Sequence, residues 1–179
     1  MVRIDFTYPF FVEKLTPASK ERCLVKYQCT YSAKVPNVNK GPRVMFNVDV
    51  PVITSYPASH PDLPNGLFGQ LSVVSVNVIS TDDTYPEDII DIVDRHSLFP
   101  VYSFLTADDQ LYAIKRVHAE RKDSVVMTDE IREELSHHRE IEYYSVSCAN
   151  RGMLHSYATV VSTEKSMWVP FSGYGEEEV

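Results

Sequence analysis

Apolar and polar positions alternate through the first half of the chain. From Cys23 to Tyr31 every second residue is apolar or aromatic (Cys23, Val25, Tyr27, Cys29, Tyr31), with polar Lys26, Gln28, Thr30 and Ser32 in the other phase. Arg43 to Thr54 alternates again, with Val44, Phe46, Val48, Val50 and Val52 on one side, and Gln70 to Ser80 is a third, valine-rich segment. A period of two with β-branched side chains predicts half-buried antiparallel strands, because successive side chains leave a strand on opposite faces. Asn37-Val38-Asn39-Lys40-Gly41-Pro42 predicts a turn or hairpin tip. Glu13 and Lys14 read as an exposed pair on a strand.

The period then lengthens. Thr84-Tyr85-Pro86-Glu87 has the form of a capping box with proline in the first turn, ahead of Ile89, Ile90, Ile92 and Val93. A second helix is expected from Asp109 to Arg121, with Leu111, Ile114 and Val117 on one side. A third is expected from near Thr128 to near His138, either continuing the second or parted from it at Lys122-Asp123-Ser124. Two strands, Glu140 to Cys148 and Met153 to Thr163, close the chain; in the last, His155, Tyr157 and Thr159 share a face. Strands, then helices, then strands, without regular β-α alternation, predict an α+β domain: an antiparallel sheet with helices packed on one face. One domain is expected over residues 1–170, with an acidic tail at 171–179 that contains Glu176-Glu177-Glu178.

Composition narrows the choice of function. A chain of 179 residues suffices for one core, and a formal charge of −8 argues against nucleic acid as a partner, since phosphate binding needs a basic surface. Apolar runs such as Val125-Val126-Met127 are too short to span a bilayer, and Met1-Val2-Arg3-Ile4-Asp5 lacks a basic-then-apolar signal pattern. The expectation is a cytoplasmic protein with no membrane partner. Of three cysteines, Cys23 and Cys29 lie in one strand, roughly 20 Å apart at about 3.3 Å per residue. That separation precludes a bridge between them, so reduced, packed thiols are expected.

Several segments resemble one enzyme family. Phe6 to Ala18, FTYPFFVEKLTPA, is similar to the start of the second module of type IB GTP cyclohydrolases. Pro51 to Ser72, PVITSYPASHPDLPNGLFGQLS, resembles that family's P-V-T-S-L-C-P-C-S-K followed by G-A-H-N-Q-R-S, without a gap. Pro100 to Glu120, PVYSFLTADDQLYAIKRVHAE, resembles L-Y-P-L-L-K-R-P-D-E-K-Y-V-T-E-R-A-Y-E, and Val146 to Ala158, VSCANRGMLHSYA, resembles V-E-S-E-N-F-E-S-I-H-N-H-S. The resemblance implies a tunnelling fold (T-fold), here as one module, assembling as a homo-oligomer with sites between subunits. It also implies a small-molecule substrate. In the family, a divalent metal held by cysteine, histidine and glutamate activates water for attack on the purine C8 of GTP.

Most of those positions are changed here. The resemblance sets Tyr56 and Ala58 where the family has cysteines, Phe68 and Pro100 where it has histidine and glutamate, and Gly152 and Tyr157 at two further site positions. His155 matches a late histidine when Asn150 anchors the register, and Lys115 stands where a glutamate reads guanine. An ammonium offers only donors, so Lys115 favours an oxygen-rich partner over the guanine edge. The expectation is therefore no metal and no cofactor, with Lys115, His155, Tyr56 and Tyr157 as catalytic candidates. Ser59, Phe68, Gln70, Tyr102 and His118 are the substrate-binding candidates. Each has a plainer alternative: the aromatics fill a dead cavity, Lys115 is a solvated helix residue, and His155 is a structural histidine. His60, His96, His137 and His138 read as surface residues. The function expected first is a repurposed, metal-independent enzyme for cyclisation, isomerisation, dehydration or condensation of a small carbonyl or heteroaromatic compound. A non-catalytic module binding a pterin-like or purine-like ligand comes second, and an active GTP cyclohydrolase last.

Overall fold

The computed structural model describes residues 2–35, 42–56, 62, 67–152 and 156–165. Within them seven strands form one antiparallel sheet: β1 (Val2–Leu15), β2 (Arg22–Val35), β3 (Arg43–Ser55), β4 (Gly69–Ser80), β5 (Phe99–Pro100), β6 (Ile141–Arg151) and β7 (Ala158–Glu164). Their order is β1-β2-β3-β4-β6-β7, and the short β5 pairs with β3 at Val52 and Ile53, beyond the point where β2 leaves it. Three helices, α1 (Pro86–His96), α2 (Ala107–Ala119) and α3 (Ser124–His137), come between β4 and β6 in the chain.

Strand alternation collects Val25, Tyr27 and Cys29 of β2, Phe46, Val48, Val50 and Val52 of β3, Val74, Val76 and Val78 of β4, and Tyr144, Val146 and Cys148 of β6 on one buried face. Ile89, Ile90 and Val93 of α1 and Met127, Ile131 and Leu135 of α3 join the same apolar cluster. Each such side chain removed from water contributes roughly 1.5–3 kcal/mol, so this contact orders the fold. The result is the α+β arrangement that the periodicity predicts. All three cysteines are free and buried, as expected of packed thiols.

Several boundaries differ from expectation for local reasons. β1 was legible as a strand only at Glu13 and Lys14: Phe10 and Phe11 blur its alternation and Pro9 interrupts it. As an edge strand it tolerates a proline, which lacks only an N–H. α1 is entered one residue later than the expected box, with Asp88 accepting the Tyr85 N–H at 3.3 Å. α2 starts at Ala107 because Thr106 caps it, accepting the Asp109 N–H at 3.3 Å. The break before α3 is a cap too: the Asp123 carboxylate accepts the Val125 and Val126 N–H groups, each at 3.0 Å. β7 begins at Ala158, so Tyr157 precedes it and does not share a strand face with Thr159. His155, residues 37–41 of the turn and the 171–179 tail lie outside the described residues.

Two supposed surface residues are tied into the structure. Lys14 pairs with Asp94 of α1, their side chains only 12% and 16% exposed, and its ammonium lies 5.2 Å from the Tyr27 ring centre. Burial pushes the Asp94 carboxyl up, and Lys14 opposes that shift. His96 bridges α1 to α3, with Nδ1 at 3.2 Å from Glu130 and Nε2 at 2.5 Å from Glu134.

α2 is held differently from the other helices. Among its residues only Asp109 is buried, while Leu111 and Ile114 are exposed. Asp109 accepts from the N–H groups of Ala18 (2.8 Å), Ser19 (2.9 Å) and Thr106 (3.0 Å) and from the Ser19 and Thr106 hydroxyls. Its carboxylate thereby fixes the β1–β2 turn, where Lys20 takes a left-handed φ of 59°. Burial alone would raise the Asp109 pKa, but these donors outweigh it and hold the carboxyl far below the usual 3.8.

Three outcomes follow for stability. A depressed carboxyl stabilises the fold above its unfolded pKa and loses that effect as acid protonates it. Urea melts of Asp109→Asn should therefore show a clear deficit against wild type at pH 7, narrowing as the pH falls well below 3.8. Thr106→Ala should cost about 1 kcal/mol in the same melts, as expected for loss of an N-cap. Ile131→Ala, at a fully buried contact of α3 with the sheet, should cost about 2–5 kcal/mol.

Candidate functional site

The covered face of the sheet is apolar along its middle and turns polar at one end. In the same alternation as Val48, Val50 and Val52, β3 reaches Thr54; β4 presents Gln70 and Ser72 ahead of Val74; β6 passes from Val146 and Cys148 to Asn150. Pairing aligns Thr54 with Gln70, Ser72 with Asn150, and Asn150 with Thr159 of β7. Their side chains are bonded in series. Gln70 Nε2 donates to Thr54 Oγ1 at 3.2 Å, Thr54 and Ser72 hydroxyls share a bond of 2.9 Å, and Ser72 Oγ donates to Asn150 Oδ1 at 2.7 Å. Asn150 Nδ2 donates to Ser124 Oγ at 2.9 Å and Thr159 Oγ1 at 3.3 Å. A buried polar group without a partner costs about 1–3 kcal/mol, and this seam answers that cost across four strands and the start of α3.

Aromatic rings stand beside the seam. Tyr56 follows β3, its N–H donating to the Phe68 carbonyl at 2.9 Å, and the two rings stack with centres 4.8 Å apart and planes 20° apart. Tyr56 is buried and Phe68 half-buried. Gly152, just past β6, lies against the tyrosine: a Cβ there would meet Tyr56 Cε2 at 3.0 Å. Tyr56 thus occupies the space a side chain at 152 needs. Lys122 locks the base of this corner, its N–H donating to Ser55 Oγ and its carbonyl accepting from Ser55 N, both at 2.8 Å.

Of the residues singled out in the sequence, Tyr56, Phe68 and Gln70 come together at this corner. Gln70 spends its amide hydrogens on Thr54 and the Ser55 carbonyl, which makes it part of the frame. Tyr102 stands apart, 5.6 Å from Phe99 and near the Lys14–Asp94 pair; burial and then Asp94 push its hydroxyl pKa up. Lys115 and His118 are exposed on α2, while Val117 of that helix packs at Gly69. Lys115 precedes Val117 by two residues and so points about 200° away around the helix. Tyr157 is exposed, and Ser59 and His155 lie outside the described residues. Thr54, Ser72 and Ser124 were missed, and Asn150 was used only to align the late motif. The signal for them was present: each strand member is a polar residue in the buried phase of its strand.

The chain as a whole is similar to known proteins. A family model described as type I GTP cyclohydrolase FolE2 matches residues 1–161. GTP cyclohydrolase FolE2 of Geobacter sp. (strain M21) is 28% identical over 163 residues, covering 91% of this chain and 60% of that protein. The protein of the same name from Desulfovibrio desulfuricans (strain ATCC 27774) is 27% identical over 160 residues, covering 89% of this chain and 61% of its own length. The chain therefore spans about three fifths of the curated relatives it matches.

These findings correct two expectations. The family shown is FolE2, not a type IB family from which this chain departs by replaced residues. The expected order of functions is overturned as well: relatives named GTP cyclohydrolase displace both the repurposed metal-independent enzyme and the non-catalytic module. The match is carried by the pattern of the whole chain and not by a few ligand positions.

The metal that the resemblance implies does not fit the described residues. No group of three or more histidine, cysteine, aspartate or glutamate side chains among them is placed to hold an ion. Tyr56 is packed on Phe68 and Gly152, and burial pushes the nearby Cys148 thiol up to about 11, so it stays protonated.

The fit of Tyr56 over Gly152 is directly testable. Gly152→Ala should destabilise the protein by about 1–3 kcal/mol, as overpacking does. In a Tyr56→Ala background the same change should cost almost nothing. Equal costs in both backgrounds, measured in urea melts, would show that the two residues do not compete for one space.

Proposed function

The chain belongs to the type I GTP cyclohydrolase FolE2 family, and on that premise we propose that it acts on GTP, opening the purine ring by hydrolysis. The observation that carries this is the family match over residues 1–161, together with relatives whose name is GTP cyclohydrolase FolE2. The geometry suits the assignment. Phe68, half-buried and stacked on the buried Tyr56, offers a flat apolar surface to a planar base, and the polar seam behind the pair keeps that wall in place.

The tunnelling fold and a homo-oligomer belong to the same proposal. β1 and β7 are the outer strands of the sheet among the described residues, and an open edge favours pairing with another chain. Lys115 and His118 are exposed on α2. In an assembly with sites between subunits, they serve the corner of a neighbouring copy. Lys115 there meets the phosphates, for which an ammonium is a suitable partner.

Incubating the purified full chain with GTP and following the fluorescence of the pterin product tests the proposal. Turnover is expected. Absence of both turnover and millimolar GTP binding would overturn it. Lys115→Ala should raise KM for GTP about 10- to 100-fold, the effect of losing one charge-assisted bond. Mixing Lys115→Ala with Phe68→Ala subunits should restore part of the activity if each site draws on two copies.

A further inference from the structure

The polar seam and the aromatic wall close into one ring of contacts. Starting at Tyr56, the backbone leads back two residues to Thr54, whose hydroxyl bonds that of Ser72 at 2.9 Å. Ser72 donates to Asn150 at 2.7 Å. Two residues past Asn150 is Gly152, which returns to Tyr56, with 3.0 Å between a Cβ there and the ring edge. Asn150 therefore approaches Tyr56 by two routes, one through side-chain bonds and one through its own strand.

We propose that Asn150 is a positioning residue for the Tyr56–Phe68 wall, acting through Gly152 and through Ser72–Thr54. The claim deepens the function proposed above, since it takes that wall to be the surface that receives the base. Asn150 is 2% exposed, in a phase that β6 otherwise fills with Tyr144, Val146 and Cys148. A buried amide has a large desolvation cost, and this one is satisfied on both sides. Its Oδ1 accepts from Ser72, with the Cys148 thiol at 3.5 Å, and its Nδ2 donates to Ser124 of α3 and Thr159 of β7. An apolar residue would pack here with no such cost. What the amide adds is direction: it fixes the end of β6 against β4, β7 and α3 at once. With that end fixed, Gly152 stays close enough to keep Tyr56 stacked on Phe68.

Asn150→Asp isolates this role. It keeps the acceptor for Ser72 and removes both donors. Burial raises a carboxyl pKa, so protonation on acidification returns one donor. The experiment records the aromatic NMR signals of Tyr56 and Phe68 in the whole 179-residue chain without nucleotide, from pH 8 to pH 5. Thermal melts and GTP kinetics of the same samples accompany them. Expected for Asn150→Asp at pH 8 are a cooperative melt, loss of the mutual ring-current offset of the two rings, and a KM raised about tenfold with kcat changed less. Toward pH 5 the ring signals should move back toward wild type.

Ring signals that stay as in wild type while only the melting midpoint falls would overturn the proposal, because a purely structural residue behaves so. Should Asn150→Asp fail to fold, Ser124→Ala and Thr159→Val each remove one partner of the amide. Each should then shift the same ring signals in the same direction, and unchanged signals in both would again overturn the role. The NMR arm needs no substrate. A wild-type protein inert toward GTP would sink the functional assignment while the ring signals still decide for or against Asn150.

Discussion

A sheet with one apolar face must keep that face dry, and most of this structure follows from the requirement. Valines of β3 and β4, with residues of β2 and β6, form a surface that α1 and α3 cover with isoleucine, leucine and methionine. The connections follow from it: the helices lie in sequence between β4 and β6, so the chain covers the sheet before completing it. At one end of the covered face the buried positions turn polar. There Thr54, Ser72, Asn150 and Ser124 replace packing with hydrogen bonds, and the aromatic corner sits beside them.

The strands that face the helices were legible because β-branched residues at every second position leave little else to form. β1 was so only at Glu13 and Lys14, since its fourteen residues mix two adjacent phenylalanines, a proline and charges, and only pairing with β2 decides their phase. Helix starts moved because caps are set by one side chain and one N–H: Asp123 and Thr106 act as caps that periodicity alone cannot rank. Lys14 shows the limit in another way. Its neighbours on β1 suggest solvent, and the carboxylate that buries it lies eighty positions away on α1.

The candidate site was legible in part. Tyr56, Phe68 and Gln70 do meet, and their motif had marked them. Tyr102 stands apart from them, and Lys115, His118 and Tyr157 are exposed, because a linear motif carries no information on which way a helix turns its side chains. Family membership proved more robust than any ligand position. It rests on a pattern spread over 161 residues, whereas the earlier functional expectation rested on a few replaced side chains.

The claim on which the rest depends is that the base of a guanine nucleotide docks at the corner formed by Tyr56, Phe68 and Gly152. Titrating GTP into isotopically labelled protein and mapping the backbone amide shifts tests it most directly. Saturable shifts concentrated at Tyr56, Phe68, Gly69 and Gly152 are the predicted result. Shifts confined to the far side of the helices, around His96, Glu130 and Glu134, would contradict it.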